Sequence, residues 1–198
     1  MYAQAVLLSV SGEAATARRR IYLCDTFEGI PMPNSKQFPA DAAHASHIPV
    51  VDTSVRGGAY AVIGNFRKFG LMRLNIVPVV GRFNDTLPRV AIGSLALLRL
   101  DGDLFESTLD TLMHLYPTVA DGGYVIVDDY PAWTSCKKAV DMFRRVVGIT
   151  DFMWFTSPDH MYPRGESGIW WRKTAAGRGR RLTPELVDTM REEALAMK

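Results

Sequence analysis

One stretch, Leu97 to Tyr130, constrains the fold more than any other: LLRLDGDLFESTLDTLMHLYPTVADGGYVIVDDY. Leu97–Leu100 is a short apolar run that stops at Asp101. From Asp103 onward, Leu104, Phe105, Leu109, Leu112, Met113 and Leu115 recur at helical spacing, and Pro117 with Gly122-Gly123 closes that segment. Tyr124–Val127 is a second apolar run, and it stops at Asp128-Asp129. Strand, helix and strand in this order make a βαβ unit, so the two strands are expected to be parallel. A right-handed crossover brings both carboxyl ends to one sheet edge. Asp101, Asp103, Asp128 and Asp129 therefore gather at the edge where open α/β sheets bind ligands.

Four carboxylates so close together repel one another. A hard divalent cation with oxygen ligands offsets that repulsion. So does protonation, with a raised pKa on one or two of the acids. Asp103 has a plainer reading as well. It stands where a helix N-cap belongs, and Glu106 completes a capping box. Asp101 and the Asp128-Asp129 pair follow apolar strands, where capping explains less, and they are the stronger functional candidates.

The rest of the chain fits around this unit. Its 198 residues suit a single domain. A net charge of +2 does not point to nucleic acid, and no apolar run reaches the ~18 residues that span a bilayer. The first twenty residues lack the basic start of a signal peptide. Cys24 and Cys136 form neither a metal motif nor a disulfide framework, and a reducing cytoplasm fits them. Met1–Ala17 reads as a helix. IYLCD, Ile21–Asp25, is a strand, and an acid at such a strand end is placed to hold the two hydroxyls of a ribose. Thr26–Pro33 is a turn. Asn34–Asp52 is a long polar loop and a candidate lid. Its His44 and His47 lack a third ligand and read as solvated.

Val55–Gly70 reads as a helix capped by Gly70, Asn75–Val80 as a strand broken by Gly81, and Ser94–Leu100 as the strand that opens the central unit. A helix is expected over Ser135–Val147, with its apolar face at Ala139, Val140, Phe143, Val146 and Val147. Strands are expected over Phe152–Thr156 and Gly168–Lys173, joined through a polar turn at Pro158–Gly165 that carries His160. Thr174–Arg181 is a basic linker. The final helix, Leu182–Lys198, has Thr183 as N-cap, Pro184 in the first position and Glu185 in the first turn.

The landmarks CDTFEGIP, FGL, GRFNDTLP, LLRLDGDLFEST, LYP, GGYVIVDDY and GIWWRK, in this order, resemble the macrocin O-methyltransferase family of bacterial sugar O-methyltransferases. The resemblance covers roughly residues 1–173, leaving 174–198 as a linker and a C-terminal helix. It implies an α/β, class I methyltransferase (Rossmann-like) sheet with helices on both faces, S-adenosylmethionine as cofactor and a divalent metal, usually Mg2+. By position, Asp101, Asp128 and Asp129 match the metal ligands, and Asp101 also matches the proposed catalytic base. Asp25 matches the acid that holds the adenosine ribose, Thr26 and Phe27 line its turn, and Gly81 and Arg82 lie near the adenine. The implied partner is a sugar or a glycosylated small molecule.

The resemblance also carries an expectation about the beginning of the chain. The family's sheet order is 3-2-1-4-5-7-6, and its first strand feeds a glycine-rich turn close to GVWRGG. Met1 aligns inside the helix after that turn. The first strand and its glycine loop are therefore expected to be missing here, and the edges they cover to favour association between copies. The alternative to an active enzyme is a non-catalytic or partner-dependent homologue of the same fold. A phosphoryl-transfer metal site is a third, weaker reading.

Overall fold

The computed structural model describes residues 19–44, 58–71, 75–156 and 168–197. The expected helix at 1–17, His47, the first residues of the helix from Val55 and the turn with His160 lie outside them. The chain divides into two compact units, Met1–Pro31 with Pro49–Thr86, and Met32–Ile48 with Leu87–Lys198.

In the first unit, β1 (Arg20–Asp25) and β2 (Asn75–Val80) pair in parallel, from Arg20 opposite Asn75 to Asp25 opposite Val80. Helix α1 (Gly58–Lys68) anchors on buried Phe66. It ends as the sequence predicts. Gly70 takes φ 67°, its N–H donates to the Arg67 carbonyl (3.0 Å), and the Leu71 N–H donates to the Phe66 carbonyl (2.9 Å). Only glycine takes that left-handed position at little cost. One further helical turn, α2 (Phe83–Thr86), follows β2.

The second unit holds β3 (Leu95–Leu100), α3 (Phe105–Leu115), β4 (Val119–Val127), α4 (Thr134–Val147), β5 (Trp154–Phe155), β6 (Ile169–Arg172) and α5 (Pro184–Ala196). Strand order is β3-β4-β6-β5. The β3–β4 pair is parallel, as the βαβ reading requires, and β6 runs antiparallel to both neighbours. In the family's count this is the order 4-5-7-6, and the first unit supplies the pair 2-3.

Gly122 and Gly123 depart from expectation. They lie inside β4, which already begins at Val119, rather than in a turn ahead of it. A 3₁₀ turn at Tyr116–Thr118, with Pro117 in its first positions, reverses the chain without them. The glycines serve a bulge instead: Leu95 faces Val119 while Leu97 already faces Tyr124. A Cβ on Gly123 would lie 2.9 Å from the Ala120 carbonyl oxygen, so only glycine fits where the strands close up.

Alternation decides which sheet face is covered. Leu98, Leu100, Val125, Val127, Ile169 and Trp171 are buried on one face. There Trp171 meets the Tyr116 ring (6.3 Å between centroids) and the Arg144 guanidinium (4.8 Å), and Phe143 of α4 packs edge-on against Tyr116. The opposite face carries Tyr124, Trp170 and Trp154, which stack on one another and leave Trp154 54% exposed. Sheet and helices together make the α/β class that the resemblance implies.

The tail packs within the same unit. Asp151 accepts from the Thr174 N–H (3.1 Å) and hydroxyl (2.6 Å), and the Arg180 N–H donates to the Val147 carbonyl (2.8 Å). Helix α5 begins as its sequence predicts, with the Thr183 hydroxyl accepting from the Leu186 N–H and Pro184 in the first turn.

Candidate active site: two strand edges

Asp25 ends β1, and its turn is held almost entirely by neighbours in sequence. Its Oδ1 accepts from the Phe27 N–H at 2.6 Å. The Thr26 hydroxyl donates to the Gly29 carbonyl (2.9 Å) and accepts from the Glu28 N–H (3.2 Å). This curls Phe27 into a left-handed φ of 57° and buries its ring. The turn after β2 is tied to it, since the Gly81 N–H donates to the Asp25 carbonyl (3.0 Å). Gly81 sits at φ 138°, and a Cβ there would meet the Thr86 methyl at 2.9 Å. The Arg82 carbonyl accepts from the Thr86 hydroxyl and so starts α2. Asp25, Thr26, Phe27, Gly81 and Arg82 therefore share one edge of the β1–β2 pair. Asp25 Oδ2 has no hydrogen-bond partner among the described residues, which leaves it able to accept from a ribose hydroxyl. Burial, with Asp25 second, pushes the neighbouring Cys24 thiol up to about 11, so it is inert as a nucleophile.

The β3–β4 edge brings the four acids together. Asp101 follows β3, Asp128 and Asp129 follow β4, and the Asp128 N–H donates to the Leu100 carbonyl across the pair (3.0 Å). Asp129 Oδ2 accepts from the N–H groups of Gly102 and Asp103, each at 3.1 Å. Arg99 reaches along the edge and bridges the other two acids. One guanidinium nitrogen lies 2.8 Å from Asp101 Oδ2 and the other 2.5 Å from Asp128 Oδ2. Burial lowers the affinity of Arg99 for its proton, but Asp101 and Asp128 outweigh it and hold its pKa above the ordinary value.

Burial raises the pKa of both acids of the remaining pair. Burial first, then Asp129 and Asp101, push the Asp103 carboxyl up to about 7. Burial likewise raises Asp129, against the pull of the Asp103 and Gly102 N–H groups. Of the offsets that the sequence admits, the positive charge facing Asp101 and Asp128 here is the Arg99 guanidinium.

Asp103 does not cap the helix. Its φ is 55°, a left-handed turn that aspartate tolerates, and it shows no capping bond to α3, whose N-cap position is Leu104. The cap comes instead from Asp41, which is fully buried in a 3₁₀ turn at Pro39–His44. Its carboxylate accepts from the Phe105 N–H (2.6 Å) and the Glu106 N–H (3.1 Å). Phe38 packs on Phe105 beside it, with ring centroids 6.0 Å apart. The described part of the Asn34–Asp52 segment is therefore packed into the second unit rather than a solvated loop.

A divalent cation does not fit the arrangement seen here. The oxygen donors have the right chemistry. Yet no three acidic, histidine or cysteine side chains converge as a metal site among the described residues, and Arg99 holds two of the three expected ligands.

Sequence reasoning missed Arg99, Asp41 and Gly168. Gly168 opens the approach of β6 to this edge: a Cβ on it would lie 2.6 Å from the Val127 carbonyl oxygen and 3.0 Å from Asp128 Cα. Arg99 had a readable signal, a charge two residues before an acid on the same strand face. Asp41 and Gly168 had none, because their partners are distant in sequence.

The chain's solved likenesses have the class I, Rossmann-like methyltransferase fold. The structure of the O-methyltransferase NovP aligns with a TM-score of 0.70 and 34% identity over 87% of this chain and 65% of that one. A calicheamicin methyltransferase, at TM-score 0.51 and 22% identity, shares the fold. The chain belongs to the macrocin O-methyltransferase family, whose model matches residues 3–173. Demethyldecarbamoylnovobiocin O-methyltransferase of Streptomyces niveus is 38% identical over 79% of this chain and 56% of its own length. A tetracenomycin-C 4'-O-methyltransferase of Streptomyces olivaceus, whose name specifies a dimethoxy-rhamnosyl group, is 36% identical over 91% of this chain and 64% of its own length. The chain thus spans about three-fifths of the length of these relatives. No described helix is long and apolar enough to cross a membrane.

Proposed function

We propose that the protein transfers a methyl group from S-adenosylmethionine to a hydroxyl of a sugar or glycosylated small molecule. The observation that carries this reading is the carboxylate edge, where Asp101, Asp103, Asp128 and Asp129 meet and burial pushes the Asp103 carboxyl up to about 7. A base works best when its pKa lies near the operating pH. In the proposed reaction the sugar oxygen attacks the sulfonium methyl carbon, the carbon–sulfur bond breaks, and S-adenosylhomocysteine leaves. The hydroxyl proton passes to this edge. Asp101 is the proposed acceptor and Asp103 the group that retains the proton. Asp25 holds the cofactor ribose, with Thr26, Phe27, Gly81 and Arg82 shaping its turn. Much of the acceleration then comes from holding oxygen and methyl in line.

Dependence on Mg2+ is a further expectation of the resemblance. A cation bound to Asp101, Asp128 and Asp129 would lower the pKa of a sugar hydroxyl. Among the described residues these side chains do not converge as a metal site. The sugar class follows the named relatives.

The test is transfer of labelled methyl from S-adenosylmethionine to a panel of rhamnosides, with and without EDTA. Transfer that falls at least ~100-fold in Asp101→Asn supports the reading. No transfer by a folded chain that binds S-adenosylhomocysteine would favour a non-catalytic homologue.

A further inference from the structure

We propose that Arg99 is a positioning residue that serves as the built-in counter-ion of Asp101 and Asp128, so that an added divalent cation must compete with it. The inference rests on reading Asp101 and Asp128 as the working acids, and it grows out of their failure to form a metal site.

The geometry is specific. Arg99 lies on β3, two residues before Asp101, so both side chains leave the same sheet face. Register places Arg99 opposite Ile126, and Asp128 stands two residues further along on that face. One planar fork thus spans the ends of two neighbouring strands. It takes Oδ2 of each acid, at 2.8 and 2.5 Å, and leaves Oδ1 of each without a hydrogen bond among the described residues. All three side chains are about half exposed, which keeps the fork exchangeable by a competing ion. A lysine retains the charge but cannot span both acids with a rigid fork. The charged groups that act on Arg99 are those two acids.

Two consequences separate a counter-ion from an incidental surface ion pair. Removing the guanidinium frees two carboxylates and the charge that repels a cation, so cation affinity must rise. Without added cation, the same variant must lose stability, and the cation must restore it.

The experiment titrates the full chain with MnCl2 alone, following free Mn2+ by electron paramagnetic resonance, in wild type, Arg99→Gln and Arg99→Lys. Melting temperatures are read in parallel with and without Mn2+. The expected result is Mn2+ bound roughly tenfold more tightly by Arg99→Gln, the scale of one charge removed from a half-exposed site, and by Arg99→Lys within about threefold of wild type. The gain should shrink as KCl is raised, and Mn2+ should restore the lowered melting temperature of Arg99→Gln. Unchanged, weaker or absent Mn2+ binding by a folded Arg99→Gln would overturn the proposal. S-adenosylhomocysteine binding, measured on the same samples, reports separately on the methyltransferase reading.

Discussion

The two strand edges are built in opposite ways. At Asp25, each side-chain hydrogen bond joins residues no more than three apart, and one bond from Gly81 links the neighbouring turn. At Asp101–Asp103 and Asp128–Asp129 one side-chain bond, Arg99 to Asp101, is local, but the ties that join the pieces span 26 to 65 residues: Asp129 to Gly102 and Asp103, Arg99 to Asp128, and Asp41 to the head of α3. A local turn survives the loss of one member because its neighbours still curl the chain. An edge assembled from distant pieces does not, because each piece is ordered only by the others. The lesson is that the Asp25 edge should tolerate substitution in stability, and the carboxylate edge should not.

The largest expected break is at Asp41. Asp41→Ala strips the acceptor from two helix N–H groups, one of them on fully buried Phe105, and should destabilise by about 3 kcal/mol. Asp25→Ala, exposed and local, should cost under about 1 kcal/mol. Urea unfolding of the two variants compares the edges directly, and equal losses would erase the contrast. Next comes Gly168→Ala. Its methyl would press on the Val127–Asp128 peptide, with an expected loss of about 2 kcal/mol from overpacking.

A smaller effect sharpens the electrostatics. Asp103 is raised to about 7 in the folded state, against an unfolded value of about 4. A raised group contributes stability that is complete below about pH 4 and lost as pH climbs through 7. Asp103→Asn should therefore match wild type near pH 4 and melt higher above pH 7, by on the order of 3 °C. A difference that does not change between pH 4 and 8 would show that Asp103 titrates normally.

Legibility in the sequence followed the same division. Periodicity placed β2, α4 and α5 to within two residues at each end, because an apolar stripe and a cap are local records. Gly70, Thr183 and Pro184 act where their spacing put them. The carboxylate edge was readable too, since the βαβ rule carries Asp101 and Asp128 to one side without knowledge of contacts. What escaped were the ties between distant segments. The pattern Asp103-x-x-Glu106 reads as a capping box, yet Asp41 takes the helix N–H groups, and no local rule names a competitor sixty residues away. Gly122-Gly123 reads as a turn because a bulge and a turn both call for glycine. The segment from Asn34 reads as a loop because its buried anchors among the described residues, Phe38, Ala40 and Asp41, are too few to make a pattern.

Calorimetric titration with S-adenosylhomocysteine tests the account most directly, using wild type, Asp25→Ala and the double variant Asp101→Asn with Asp128→Asn. If the β1–β2 edge holds the cofactor and the β3–β4 edge handles the hydroxyl, Asp25→Ala should weaken binding at least tenfold, the loss of a charge-assisted hydrogen bond. The double variant should bind within about twofold of wild type while losing methyl transfer. Normal binding by Asp25→Ala, or binding abolished by the double variant in a folded protein, would contradict this division of labour.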